Sequence, residues 1–256
     1  MYRFNRLKLS KLVAGSATVL TCLNFNLVAR AASITNGGFN ADLSGWTIVE
    51  QPGASGSWFS TEGGFSALGS QPIIAPSEGT RYVHSAQTGP TSQVLFQDIV
   101  LEADTEHLLS FDWYAQDWSN RFSDAGTLDF TGADNQHLRV DLVSTDFSDW
   151  FGPDSSNGLL SNILAPVAQI SPVDSWNSLD FDLTPWAGQS VRLAFRQVDN
   201  QLFFNAGVDD VSILSTPIIG DTPANSPQGV PEPGLLTGFV TLLGLLVYKT
   251  SRMATT

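Results

Sequence analysis

Three histidines, His84, His107 and His137, are the first candidates for chemistry, and their placement supports little of it. They are scattered, each near the end of a candidate strand, with no H-x-x-x-H pair to grip a metal ion. No G-x-S-x-G elbow, glycine-rich phosphate loop or P-loop occurs anywhere in the 256 residues. The 25 acidic residues offer many accidental carboxylate pairs, and only separation in space makes such a pair a glycosidase site. Cys22 is the lone cysteine and lies in an apolar N-terminal run. A chain cut after Ala31 would keep no thiol, excluding a disulfide, a thiolate metal site and a cysteine nucleophile. The residues predict a protein that binds rather than catalyses.

Binding chemistry is better provided for. Recognition of sugars combines flat aromatic faces with planar polar groups, and all seven tryptophans lie between the two ends of the chain. Trp46, Trp113 and Trp176 sit on apparent core faces. Trp58 follows a Gly/Ser turn, Trp118 lies in an acidic turn, and Trp150 sits between Asp149 and Gly152-Pro153. Tyr114, Arg139, Asp141 and Arg196 have the non-core parity of neighbouring candidate strands. The expected ligand-binding set is therefore Tyr114, Trp118, Arg139, Trp150 and Arg196, flooring an open face. The competing reading is that the arginines simply pair with surface acids.

Charge narrows the partners. Ala32–Leu214 holds five arginines, no lysine, and all of the acidic residues except Asp221 and Glu232. Such a surface repels nucleic acid, favours solubility outside a cell and could attract calcium.

The elements that must position these groups are strands. Runs of β-branched and aromatic residues alternate with Gly, Pro, Asn, Asp and Ser turns, and no amphipathic helix of useful length appears. The candidates are 33–39, 46–50, 81–85, 92–100, 107–116, 128–131, 137–144, 175–183, 191–198 and 207–214, with 53–64 read as turn and loop. Leu109, Phe111, Trp113 and Ala115 share one face, opposite Ser110, Asp112, Tyr114 and Gln116. Period two with one polar face predicts antiparallel sheets. About ten such strands in some 180 residues predict an all-β sandwich.

Both ends read as addresses. Arg3, Arg6, Lys8 and Lys11 precede an apolar stretch, Leu12 to Ala29, and an A-x-A cleavage signature, Ala29-Arg30-Ala31. Residues 1–31 are thus expected to be a signal peptide. A proline-rich linker, 215–230, leads to Pro231-Glu232-Pro233, which the two prolines keep extended. An apolar run, Leu235 to Val247, and the basic Lys249 and Arg252 follow. As a single hydrophobic helix that run rises only ~20–22 Å against a hydrocarbon core of about 30 Å. The basic tail should stay cytoplasmic.

This ending resembles the PEP-CTERM sorting signal of bacterial surface proteins. The resemblance implies a transmembrane segment over part of 231–256, processing by the membrane protease exosortase, and final placement at the cell surface or outside it. A second resemblance covers most of 32–214. Ile34 to Phe39 with Leu43-Ser44-Gly45-Trp46, Gln97 to Leu101 with His107 to Phe111, and the closing stretches Asp182 to Phe195 and Gly207 to Ile213 are similar to carbohydrate-binding modules with a galactose-binding-like jelly roll. That family implies a jelly-roll β-sandwich and, in many members, a structural calcium between first and last strands. Asn36, Asn40, Asp209 and Asp210 are the matching positions, although the family's usual glutamate is Asn40 here. Alternatively Asp209 accepts backbone N–H groups at the sheet end. The function these readings imply is a non-catalytic surface or matrix protein associating with exopolysaccharide. A structural or adhesive module without a sugar site is the alternative, and a secreted hydrolase is less favoured.

Overall fold

The computed structural model describes residues 31–153, 157–170 and 172–219. The signal peptide through Arg30, most of the linker and the sorting signal (Pro231, Glu232, Pro233, Lys249, Arg252) lie outside the described residues. Among the described residues thirteen strands form in chain order: β1 Thr47–Glu50, β2 Gly56–Thr61, β3 Gly64–Phe65, β4 Pro72–Ile73, β5 Tyr82–Gln87, β6 Thr91–Val100 and β7 Thr105–Asp117. They continue as β8 Gln136–Ser144, β9 Leu159–Val167, β10 Gln169–Ile170, β11 Asn177–Asp182, β12 Ser190–Asp199 and β13 Phe204–Pro217. The only helical element among the described residues is a single 3₁₀ turn, Thr184–Trp186.

Two sheets pack face to face. Sheet I has the order β1-β6-β12-β8-β9, and sheet II has the order β10-β7-β13-β5-β2 with β11 also on β7. Every pairing is antiparallel except the two-residue contact of β10 with β7. The period-two pattern explains the layers, since inward residues of both sheets meet in one core. Phe195 of β12 meets Phe111 of β7 edge to face at 5.3 Å, and Trp46 lies 5.8 Å from Phe195. Each such fully buried aromatic contributes about 1.5–3 kcal/mol from the apolar surface it removes from water.

The structure departs from the sequence expectation at five places. Residues 33–39 form no strand, because Asn36 and Phe39 adopt positive φ (55° and 51°) and break the extended run. The segment is tied instead by the Gln97 side chain, whose Oε1 accepts the Thr35 N–H at 2.7 Å while Nε2 donates to the carbonyls of Thr35 and Gly45. Gly37 touches the Val211 carbonyl so closely that no Cβ fits there. Residues 128–131 are also loop. Conversely, Gly56–Thr61 is a full strand despite its glycines and serines, and Trp58 enters the core at 1% exposure. Leu159–Val167 pairs with β8 through several register shifts, which blur the alternation that sequence reading relies on. Finally, β13 runs three residues past Leu214, and the Ile218 N–H bonds the Asp104 carbonyl at 2.8 Å, so the linker begins later than 215.

Candidate functional site

The apolar inner stripe turns polar at one end of the sandwich. Along β6 it reads Ile99, Gln97 and Leu95, then Gln93 and Thr91; along β12 it reads Leu193, Phe195, then Gln197 and Asp199. The neighbouring β8 and the facing β7 and β5 do likewise, ending in Gln136, Asp117 and Gln87. The result is a layer of amides and two carboxylates closed between the sheets. Asp199, 3% exposed, accepts Gln87 Nε2 at 2.7 Å and the Gln201 N–H at 3.2 Å. Asp117 accepts the Ser119 N–H at 2.7 Å and Gln136 Nε2. No cation lies within ion-pair distance of either carboxylate among the described residues. Burial therefore pushes the Asp199 carboxyl up to about 7, and the charge of Asp117 adds to the rise.

This layer opens outward. Asp199 and Gln87 line a cavity of about 190 Å³ whose rim is Thr88 to Pro90 and Asn200 to Phe203. Gln87 is 2% exposed and keeps Oε1 without a hydrogen-bond partner among the described residues. The rim carries exposed apolar groups, Leu202 at 58% and Phe203 at 42%. The backbone N–H of half-buried Trp118 donates to the Phe203 carbonyl at 3.1 Å and ties the end of β7 to the rim. The rim is braced by a reciprocal pair, since Asn135 N–H donates to Asn200 Oδ1 at 2.8 Å and Asn200 N–H to the Asn135 carbonyl at 3.1 Å. A small cavity with buried acceptors, bordered by the exposed faces of Leu202 and Phe203, suits a hydroxylated ligand.

None of the five residues expected on an open binding face lines this cavity, and Trp118 is tied to its rim through the backbone alone. Tyr114 belongs to sheet II and is fully buried, its hydroxyl 3.1 Å from Tyr82 and its ring 4.9 Å from Trp176. Gly207 on β13 leaves room for that ring; a Cβ there would overlap it. Arg139 and Arg196 stand side by side across β8 and β12 on the outer side of sheet I, as alternation predicts, yet both are buried. Arg139 grips Asp141 with two contacts, 2.9 and 3.0 Å, and Arg196 Nη1 donates to the same carboxylate at 2.7 Å. Trp150 closes the face from above, stacked on Phe96 at 5.2 Å, while its carbonyl accepts Arg196 Nη2 at 2.5 Å. The 145–153 segment folds back over the sheet, so these residues form a sealed ionic cluster rather than a floor. Sequence reading missed Asp199, Gln87, Leu202 and Phe203; the visible signal was the shift from apolar to amide and acid in the inward stripe.

The four expected calcium positions do gather near the first segment and last strand, but their oxygens face donors. Asn36 Oδ1 accepts the Ala41 N–H, and Asn40 Oδ1 accepts both N–H and O–H of Thr80. Asp209 Oδ2 accepts the N–H groups of Ser77 and Glu78 and the Ser77 hydroxyl, and Oδ1 accepts the Asp210 N–H. Asp210 is exposed on a β-bulge with φ 47°. Burial raises the Asp209 carboxyl, a shift its four donors counter. N–H and O–H donors aimed at the side-chain oxygens of Asn36, Asn40 and Asp209 occupy places that a cation would need. Among the described residues no group of three or more His, Cys, Asp or Glu side chains could hold a metal ion.

The fold and site define an all-β sandwich with one small, aromatic-rimmed cavity at a loop end. No protein-family model matches the chain, and no curated protein matches it. Among solved structures it is similar to the carbohydrate-binding module TmCBM61 in complex with β-1,4-galactotriose, at 12% identity over 71% of this chain and 96% of that one, with a TM-score of 0.44. The K3 adhesin domain of Lys-gingipain from Porphyromonas gingivalis matches at 15% identity over 71% and 98%, TM-score 0.44. A Stig cyclase from Fischerella sp. TAU matches at 14% identity over 73% and 98%, TM-score 0.43. At this level of likeness none of the three assigns a function to this chain.

Proposed function

We propose that the chain is a non-catalytic exported protein whose sandwich associates with an extracellular polysaccharide through the rim at Leu202 and Phe203. The observation that carries this reading is the pairing of exposed aromatic and aliphatic faces with a cavity floored by buried Asp199 and Gln87. Its volume lies below the roughly 300 Å³ of drug-sized sites, which suits the hydroxyl edge of one sugar unit within a polymer lying across the rim. The jelly-roll likeness of the sequence points the same way. Export rests on the signal peptide, and surface placement rests on exosortase acting at Pro231-Glu232-Pro233 after the apolar tail has engaged the membrane.

Affinity gels loaded with neutral and acidic polysaccharides test the binding. Phe203→Ala should weaken retention about tenfold, the equivalent of 1.4 kcal/mol for one lost stacking face. Its melting temperature should stay near that of the wild type. Retention of no polysaccharide would leave the adhesive reading standing in its place. Replacing residues 231–233 with alanine should abolish C-terminal processing; unchanged maturation would remove the sorting assignment while leaving the binding result intact.

A further inference from the structure

The chain passes from solvent to core within one peptide unit near the expected cleavage point. Ala31 is exposed, whereas Ala32 is 5% exposed and belongs to the main apolar cluster. The Ala32 nitrogen donates to Glu102 Oε2 at 2.7 Å across 70 residues of sequence. Glu102 lies in the β6–β7 connection with its side chain only 15% exposed. The other titratable group facing this carboxylate is His107, whose Nε2 is 3.9 Å from the same oxygen. That ring nitrogen is 3.0 Å from the Glu102 carbonyl, and Nδ1 is 3.0 Å from Ser215 Oγ. The histidine is thereby held by neutral oxygens on both sides and leaves the carboxylate to the nitrogen of Ala32.

A partly buried carboxylate spent on one amide hydrogen is a poor match. An ammonium would bring a full positive charge and three donors to the same place. The Ala29-Arg30-Ala31 signature puts the scissile bond between Ala31 and Ala32. We propose that Glu102 is a built-in receptor for the α-amino group released by signal-peptide removal. Hydrolysis adds water across the Ala31–Ala32 bond. The Ala31 carbonyl carbon takes the hydroxyl and leaves as a carboxylate, while the Ala32 nitrogen takes the protons and becomes an ammonium beside Glu102 Oε2. Maturation then converts a neutral hydrogen bond into an ion pair that locks the first residue against the β6–β7 connection. The folded domain is consequently more stable in the processed chain than in any chain carrying residues before Ala32. The inference rests on the export reading proposed above but on none of its sugar chemistry.

The test compares the chain 32–256, released by a protease that leaves Ala32 first, with the same chain bearing Gly-Ser before Ala32, both in mild detergent. At pH 6.5 the Ala32-first chain should show an unfolding equilibrium constant at least fivefold smaller. Glu102→Gln should abolish that difference. The amine paired with a carboxylate has its pKa raised above the usual 7.7–8.0. Its stabilisation is therefore complete below about 8 and lost as pH rises through the raised value. NMR titration of Ala32 reads that pKa directly, and does so even if Glu102→Gln fails to fold. Equal stability of the two chains with an amine titrating at its ordinary value would overturn the proposal. So would an exported chain whose N-terminus, by mass spectrometry, is not Ala32. Loss of polysaccharide binding with the pairing intact would instead fault only the sugar reading.

Discussion

The outer face of sheet I and the polar layer at the cavity end both bury charge, and they manage it in opposite ways. Over sheet I, Asp141 meets Arg139 and Arg196 at 2.7–3.0 Å, and Asn162 adds a third partner at 2.7 Å. Between the sheets, Asp117 and Asp199 have amides but no cation among the described residues. Two arginines directly opposite each other across strands would repel; the shared carboxylate makes them compatible. Two acids near each other without a cation instead share the burden by one of them holding its proton. The first arrangement is sealed beneath Trp150 and is structural. The second ends at an open cavity and leaves acceptors ready for hydroxyls.

Removing the carboxylate from the sealed cluster should give the largest effect. Asp141→Asn leaves two buried guanidiniums around a neutral amide, and breaking a buried pair in this way costs about 3–5 kcal/mol. Urea denaturation should show that loss with little change in the slope. A cost under about 1 kcal/mol would mean the arginines are balanced elsewhere, and the contrast between the regions would shrink.

At the cavity end the expected signature is pH dependence. The Asp199 carboxyl is raised from 3.8 to about 7 in the fold, so the native state holds more protons than the unfolded state between those values. Its contribution is fully present below pH 4 and is lost as pH rises through 7, on the order of 2–4 kcal/mol for a buried group. Asp199→Asn can still accept from Gln87 and carries no charge. The variant should have a flatter stability profile and be more stable than wild type at pH 8. A wild-type profile that is flat from pH 4 to 8 would show that Asp199 is ionised throughout.

The same contrast explains what could be read from sequence. Alternation in β7, β8 and β12 was legible because each strand puts at least three successive inward apolar residues on one side, and it gave Arg139 and Arg196 the outward parity they have in sheet I. Exposure was not legible. Whether an outward residue meets water depends on what crosses above it, and the aromatic content of 145–153 (Phe147, Trp150, Phe151) was the only hint that this segment covers the sheet. Tyr114 failed for the same reason on sheet II, beneath Ile74 and Trp176. The 33–39 segment shows a third limit: its backbone is set by a distant side chain, Gln97, and no local pattern announces that. Trp118, just past the end of β7, is half-buried and meets the rim only through its backbone N–H.

The smallest expected effect concerns the first-to-last-strand junction. There Asp209 behaves unlike either acidic region, since its four donors are three backbone N–H groups and the Ser77 hydroxyl. Such a cage stabilises the carboxylate without a counter-ion, as charge-assisted bonds to N–H groups do. Addition of millimolar calcium, or its removal by a chelator, should move the melting temperature by less than about 1 °C. A site that bound calcium at 100 times its dissociation constant would contribute about 2.7 kcal/mol, which is several degrees for a domain of this size. Scanning calorimetry resolves the two cases. A calcium-dependent rise would mean that Asn36, Asn40, Asp209 or Asp210 turns away from its present donors, and that the junction is closed by an ion rather than by the loop at Ser77–Thr80.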